Sequence, residues 1–585
     1  MRRSVAALAS PPRPPLWTPQ TTWGFVALGA IGLSLYAAGF FRQELFNPGG
    51  IPQLVRFFAA SVQPDLSLEF LQLTWNAALI TLAYAVCGTA LSLLFGLIGG
   101  VLASEVWWAA VFPRQQRSVW LGVRTILAFP RAIHELIWGL LLLNILGLDP
   151  IVGILAIAIP YSAIVAKVFS ELLDETPRQP LITLLNSGVA PFPAFLYTLF
   201  PQAFLDLLSY SFYRFECSIR SAAVLNIIGA QGLGYQIVLS LQSLRYEQLW
   251  TLFYALFLLT GSVDLLSALL RRRLGSPSRL DLNLRKRSKR QNQSTHSAAE
   301  RLPLRSRTAF TTWFWRHSPT LAGLGALLLV PFCFWYLQPD FSKLWSARSV
   351  RLLQEITQSA FPPQLTWEQL PPLLALSLQT IAMSILAIAF AGIGGMLLSF
   401  PAAYNFFLPG GLLNIAKQHR QSQLFAWFGL LLTRSLLLIG RAIPAPIWAL
   451  VALFVWFPGI LPGAIALGLH NLGILGRLMA EVNENLDQRP LLALKAQGTP
   501  APLVFLYGLL PLTMTRFLAY ILYRWEVCTR ETVIVGLVGA GGLGRLLTEQ
   551  LSSFDYQNVL ITLGCFVILT VGVDWVSSAA RRSLR

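Results

Sequence analysis

The sequence predicts an all-α integral membrane protein made of two tandem copies of one multi-helix unit, with about twelve transmembrane helices. Three observations carry this. Of 585 residues 55% are hydrophobic and only 12% charged, with a mean hydropathy of +0.60; a soluble chain of that length needs more charged surface. Apolar runs long enough to cross a hydrocarbon layer of roughly 30 Å recur along the chain. The second half also repeats the first in register.

The first six runs begin near 23–41, 75–103, 119–146, 150–170, 195–213 and 247–270. The second six lie near 318–338, 372–400, 425–457, 459–480, 503–522 and 558–577. The third run of each set is long enough to be tilted or to include a membrane-surface portion. The organisation is thus a cytoplasmic tail (1–22), a first unit (23–270, core 75–270), a basic linker (271–317) and a second unit (318–580, core 372–577).

Charge orients the spans. Arg2, Arg3 and Arg13 precede the first; Arg114 and Arg117 follow the second, with Lys417, His419 and Arg420 as counterparts; Arg581, Arg582 and Arg585 close the chain. Residues 271–307 hold twelve Lys or Arg against Asp281 and Glu300, too polar to fold alone. An even number of spans per half puts all these segments, and both termini, on the cytoplasmic face of a plasma membrane, where anionic lipids attract them. That placement explains the net charge of +18 without nucleic acid. The short, proline-broken apolar stretch at the start is read as a retained tail, not a cleaved signal. The five cysteines (Cys87, Cys217, Cys333, Cys528, Cys565) have no metal or disulfide spacing, and no metal cluster or catalytic triad is expected.

A shift of 310 residues places Arg124 on Arg434, Arg131 on Arg441, Trp138 on Trp448 and Asp264 on Asp574 without a gap. Between 213–234 and 523–544, nine of 22 positions are identical. Upstream, Thr81 and Gly96 match Thr380 and Gly395 at a shift of 299, which implies an 11-residue insertion within 401–424. With an even span count the two copies are parallel, related by an axis along the membrane normal.

Three constellations stand out. The loop between spans four and five carries Glu171, Pro180, Gly188 and Pro201, repeated as Glu481, Pro490, Gly498 and Pro511. Proline can start and glycine end a short helix in both copies. Next come Arg214, Glu216 and Arg220, repeated as Arg524, Glu526 and Arg530. Such charges are expensive at a span unless paired or facing a polar cavity, and arginine suits bidentate contact with an oxyanion; a structural ion pair with an interfacial arginine is the alternative. The third is glycine-rich: Gly229, Gly232 and Gly234, with Gly536, Gly539, Gly541, Gly542 and Gly544. It lacks the Lys-Ser/Thr ending of a nucleotide loop, so it reads as a broken or re-entrant segment lining a path, or as close helix packing. Asn226 and Gln231 replace Gly536 and Gly541, so the halves need not be equivalent.

The two loops, with Gly188 thirteen residues before Pro201 and Gly498 before Pro511, resemble the cytoplasmic loop of permease subunits of binding-protein-dependent ATP-binding-cassette importers. YRWE, Arg530 and VGAGGLG at 538–544 resemble the phosphonate/phosphite/phosphate branch. The resemblance covers about 75–270 and 372–577. It implies tandem fused permease units, with coupling helices within 171–193 and 481–503 that fit two cytoplasmic ATPase subunits. It further implies a periplasmic binding protein, a small oxyanion as cargo, ATP on the partners only, and an inner-membrane location. Ile182 and Leu492 stand where the family usually has glutamate. A secondary transporter or channel using Asp264 and Asp574 as proton relays, and a non-transporting scaffold, are the alternatives; the bland reading of those aspartates is capping or pairing near the cytoplasmic boundary.

Overall fold

The computed structural model describes residues 19–40, 45–111, 116–229, 231–274, 318–360, 365–406 and 420–583. Most of the basic tail and linker, and residues 407–419 of the expected insertion, lie outside these described residues.

The first half contains α1 (Pro19–Ala37), α2 (Ile51–Ala59), α3 (Leu68–Ala103), α4 (Glu105–Val111), α5 (Gln116–Ala132) and α6 (Glu135–Leu146). It continues with α7 (Pro150–Glu175), α8 (Gln179–Asn186), α9 (Pro191–Leu225), α10 (Leu233–Gln242) and α11 (Tyr246–Leu274). The second half contains α12 (Ser318–Leu337), α13 (Ala347–Ala360), α14 (Leu370–Ala402), α15 (Arg420–Ala442), α16 (Ala445–Val455) and α17 (Ile460–Glu484). It ends with α18 (Arg489–Ala496), α19 (Leu510–Leu537), α20 (Gly542–Ser552) and α21 (Tyr556–Ser583). Apart from one isolated bridge between Phe46 and Trp456, the described backbone contains no strand.

Among the described residues eight helices are long and apolar enough to span a bilayer, or up to ten if each bent pair is one span. The expected first spans coincide with α1 and α12, whose apolar stretches run over Thr21–Ala37 and Leu327–Leu337. The expected third span is not one rod: α5 and α6 meet at 83°, with His134 accepting from the Leu136 amide as the chain restarts. Its counterpart breaks before Pro444, the N-cap of α16. The fifth spans run well past 213 and 522, so the charged segment after each lies inside a long helix.

In each half a central pair, α3 with α7 and α14 with α17, packs along its length. Small residues allow the approach: a Cβ on Gly96 would lie 2.5 Å from Val165, and one on Gly468 2.6 Å from Phe390. Contacts between the halves come in matched sets. α1 packs on α14 and α12 on α3; α2 meets α16 and α13 meets α6; α11 meets α15 and α21 meets α5. Each set exchanges one element between halves, so the 310-residue repeat is a structural two-fold. The first span of each half leans on the core of the other.

Two matched glycines fix close crossings beside the chain breaks. A Cβ on Gly234 would sit 1.9 Å from the Ala223 carbonyl oxygen, and one on Gly544 2.7 Å from the Val533 Cα. Both obstacles are backbone, which cannot rotate away. Gly234→Ala and Gly544→Ala are expected to cost about 1–3 kcal/mol each by overpacking, seen as a lower apparent melting temperature in detergent. Gly122→Ala, with open space around it, should leave melting unchanged.

Candidate translocation site

The two inward loops form as matched helices. Pro180 and Pro490 occupy the first turns of α8 and α18, where the missing amide hydrogen costs nothing. Gly188 and Gly498 follow at φ +84° and +81°, the left-handed region that glycine enters without penalty. One leucine seats each helix: Leu181 is buried among Phe169, Leu173, Phe195 and Leu199, and Leu491 among Met479, Val482, Val504 and Leu509. The next residues, Ile182 and Leu492, are exposed. Pro201 sits within α9, whereas Pro511 follows a π-helical stretch, Val504–Leu509, that absorbs the break. Glu171 is exposed; Glu481 pairs with Arg477 at 3.0 Å.

The Arg-Glu-Arg constellations do not act as units. Glu216 bonds Ser267 and pairs with Arg271 at 3.2 Å. Glu526 pairs with Arg581 at 2.6 Å. In both halves the carboxylate therefore ties the fifth span to the end of the last. Arg214 is buried over the Tyr161 ring at 3.7 Å. Arg524 is held by Asn471 at 2.6 Å and Glu531 at 2.9 Å. Tyr161 and Ser221 are the 310-shift counterparts of Asn471 and Glu531. They bond each other, and Ser221 passes the contact to Glu135 at 2.7 Å. One half thus takes its central carboxylate from α19, the other from α6. Arg220 and Arg530 take neither a carboxylate nor an aromatic ring as partner among the described residues; Arg530 Nε donates to the Glu526 carbonyl at 3.4 Å. Arg220 Nη2 contacts the Cys217 sulfur at 3.4 Å, and Arg530 Nη1 donates to the Arg131 carbonyl of the other half at 3.2 Å.

The glycine segments are chain breaks. Gly229 and Gly232 have φ +107° and +106°; Gly539, Gly541 and Gly542 have +93°, +79° and +73°. At each break a threonine the sequence paired at a different offset closes the backbone. Thr81 Oγ1 accepts from the Leu233 amide, and Thr380 Oγ1 from the Leu543 amide, each at 2.9 Å. A Cβ on Gly232 or Gly542 would lie 2.8 Å from that same oxygen. Asn226, where the second copy has Gly536, donates to Thr81 at 3.0 Å; Gln231 adopts φ +48° where that copy has Gly541. The breaks bring the ends of α9 and α19 together, where Leu136, Val224 and Ile534 bury one another beside Ile228 and Leu537. Val224 and Ile534 are counterparts, so this apolar closure lies on the two-fold.

Sequence reasoning missed the role of Asp264. It pairs with Arg441 of the other half at 2.8 Å, not with the arginines that follow it. The 310-residue shift matches Asp264 with Asp574 and Arg131 with Arg441, and only the two-fold shows that the ion pair crosses halves. Among the described residues no group of three or more His, Cys, Asp or Glu could hold a metal.

Duplicated bundles, a central apolar closure and paired short helices on one side define a membrane translocation subunit. The chain belongs to the family described as the inner membrane component of binding-protein-dependent transport systems, which matches residues 106–276 and again 424–585. A phosphate-import permease, PhnE, of Mycolicibacterium smegmatis is 26% identical over 84% of this chain and 82% of its own length. The phosphite transport permease PtxC of Stutzerimonas stutzeri is 28% identical over half of this chain and all of its own length. A putative cryptic phosphonate permease, PhnE2, of Escherichia coli is 32% identical over 20% of this chain and 97% of its own. One chain therefore holds two units of a kind that the second relative carries once.

Removing one member of a buried ion pair strands the other. Glu216→Ala is expected to cost about 3–5 kcal/mol, read as reduced thermal stability of the purified protein. The double change Glu216→Ala with Arg271→Ala should recover part of that loss.

Proposed function

We propose that this chain forms the whole translocation pathway of an ATP-driven importer for a small phosphorus oxyanion, namely phosphate, phosphite or a phosphonate. A periplasmic binding protein delivers the cargo to the outer face. Two separate cytoplasmic subunits hydrolyse ATP, and this chain binds no nucleotide. It resides in the bacterial inner membrane with both termini on the cytoplasmic side.

The observation that carries this reading is the matched pair α8 and α18. Each is anchored by a single buried leucine and presents an exposed apolar residue, Ile182 or Leu492, on the same side of a two-fold bundle. Two equivalent knobs suit two equivalent clefts on a symmetric pair of partners. An apolar contact there makes up for the absent glutamates. The names of the relatives support the cargo class. A proton-relay role for Asp264 lacks support, because Arg441 holds that carboxylate in an ion pair.

Since Ile182 and Leu492 are exposed, changing them should spare the fold. Ile182→Asp with Leu492→Asp is expected to abolish co-purification of the ATPase and lower oxyanion uptake at least about tenfold, the scale of an interface anchor, with unchanged yield of folded protein. Retained uptake and retained ATPase would refute the coupling role.

A further inference from the structure

On the side of α8 and α18, below the apolar closure, the two-fold builds a second constellation. Three basic positions and two acidic ones recur in each half: Arg131, Lys167, Arg220, Asp264 and Glu171 match Arg441, Arg477, Arg530, Asp574 and Glu481. The structure sorts them across halves. Arg441 bonds Asp264 at 2.8 Å, with Arg220 and Arg477 acting on the same arginine. Reciprocally, Arg530 donates to the Arg131 backbone at 3.2 Å, and Asp574 lies within electrostatic reach of Arg530, Lys167 and Arg131 as well as of Glu526.

These charges lie in membrane-spanning helices, yet they are not sealed. Lys167 is exposed on α7, the candidate span with the largest buried share among the described helices. Arg131, Arg220, Arg441 and Arg530 are each part-exposed. Charged side chains at this depth are tolerated where they line a water-filled cavity. At these five positions cations outnumber carboxylates three to two in each half, and the further carboxylate nearby, Glu526, is already paired with Arg581, so the cluster carries net positive charge. The pairing is also unequal. Asp264 has its arginine, whereas one carboxylate oxygen of Asp574 is buried without a hydrogen-bond partner, and Arg131 forms no side-chain bond among the described residues.

We propose that these two inter-half clusters form a release site for a tetrahedral phosphorus oxyanion, in which Arg131 and Arg441 bind the cargo after the closure opens and Asp264 and Asp574 compete with it for them. The proposal rests on the oxyanion reading above and adds its inner site. A guanidinium fork matches two oxygens of such an anion, as it matches a carboxylate. A resident carboxylate that retakes the arginine keeps binding weak, which favours departure. The cross-half placement also means that any rocking of the halves alters the site.

The test compares three double variants of the full chain, each confirmed monodisperse in detergent. Binding of radiolabelled inorganic phosphate is measured on the purified protein, and uptake in cells whose own copy is replaced. Arg131→Gln with Arg441→Gln is expected to lower both at least about tenfold, the loss of a charged hydrogen-bond pair, while Arg131→Lys with Arg441→Lys keeps much of the binding. Asp264→Asn with Asp574→Asn, which removes the competitor, should tighten binding several-fold and slow uptake. Wild-type binding in the glutamine variant would overturn the proposal. So would an asparagine variant that binds as weakly as the glutamine one, since the ion pairs would then be structural. Wild-type protein that neither binds nor imports phosphate, phosphite or methylphosphonate would overturn the cargo reading and this site with it.

Discussion

A backbone amide left open inside a bilayer costs several kcal/mol, and this protein breaks its helices near its centre. The solution is the same in both halves. A threonine on the second span, Thr81 or Thr380, bonds the first amide of the helix that follows the glycine turn. That bond permits the break, and the break lets α9 and α19 converge on the two-fold axis. The apolar closure of Leu136, Val224 and Ile534 follows from that convergence, as do the long charged stretches that descend from it. The glycines supply the turn; the threonines make it affordable in lipid.

Duplication gives the frame, and divergence is concentrated at the axis. The peripheral pairs Glu216–Arg271 and Glu526–Arg581 are preserved in kind. At the centre, the network Arg524–Asn471–Glu531 of one half stands where the other has Tyr161–Ser221–Glu135. Fusion into one chain allows this, because each copy then meets only the other and never itself. The exchanged first spans, α1 on α14 and α12 on α3, bind the halves together.

Much of the architecture was legible because it rests on period and repetition. The 310-residue register located the inward helices, their prolines and their terminal glycines. The 299-residue offset upstream pairs Thr81 with Thr380, although the amide that each accepts from, Leu233 or Leu543, is not visible in the chain. What stayed hidden depends on which half a partner comes from. Arg214 and Arg220 look alike in the chain, but helical phase turns the first onto Tyr161 and leaves the second nearer the inter-half space. Asp264 looked like a neighbour of the arginines that follow it; the two-fold gives it Arg441 instead. The bend of 83° between α5 and α6 was masked by an unbroken apolar run, since hydropathy reports depth and not direction.

In the proposed assembly one chain supplies both halves of the pathway. Native mass spectrometry of the assembled complex measures this directly. One copy of this chain with two ATPase subunits is the predicted stoichiometry. A complex that requires two copies of the chain around a shared pathway would contradict it.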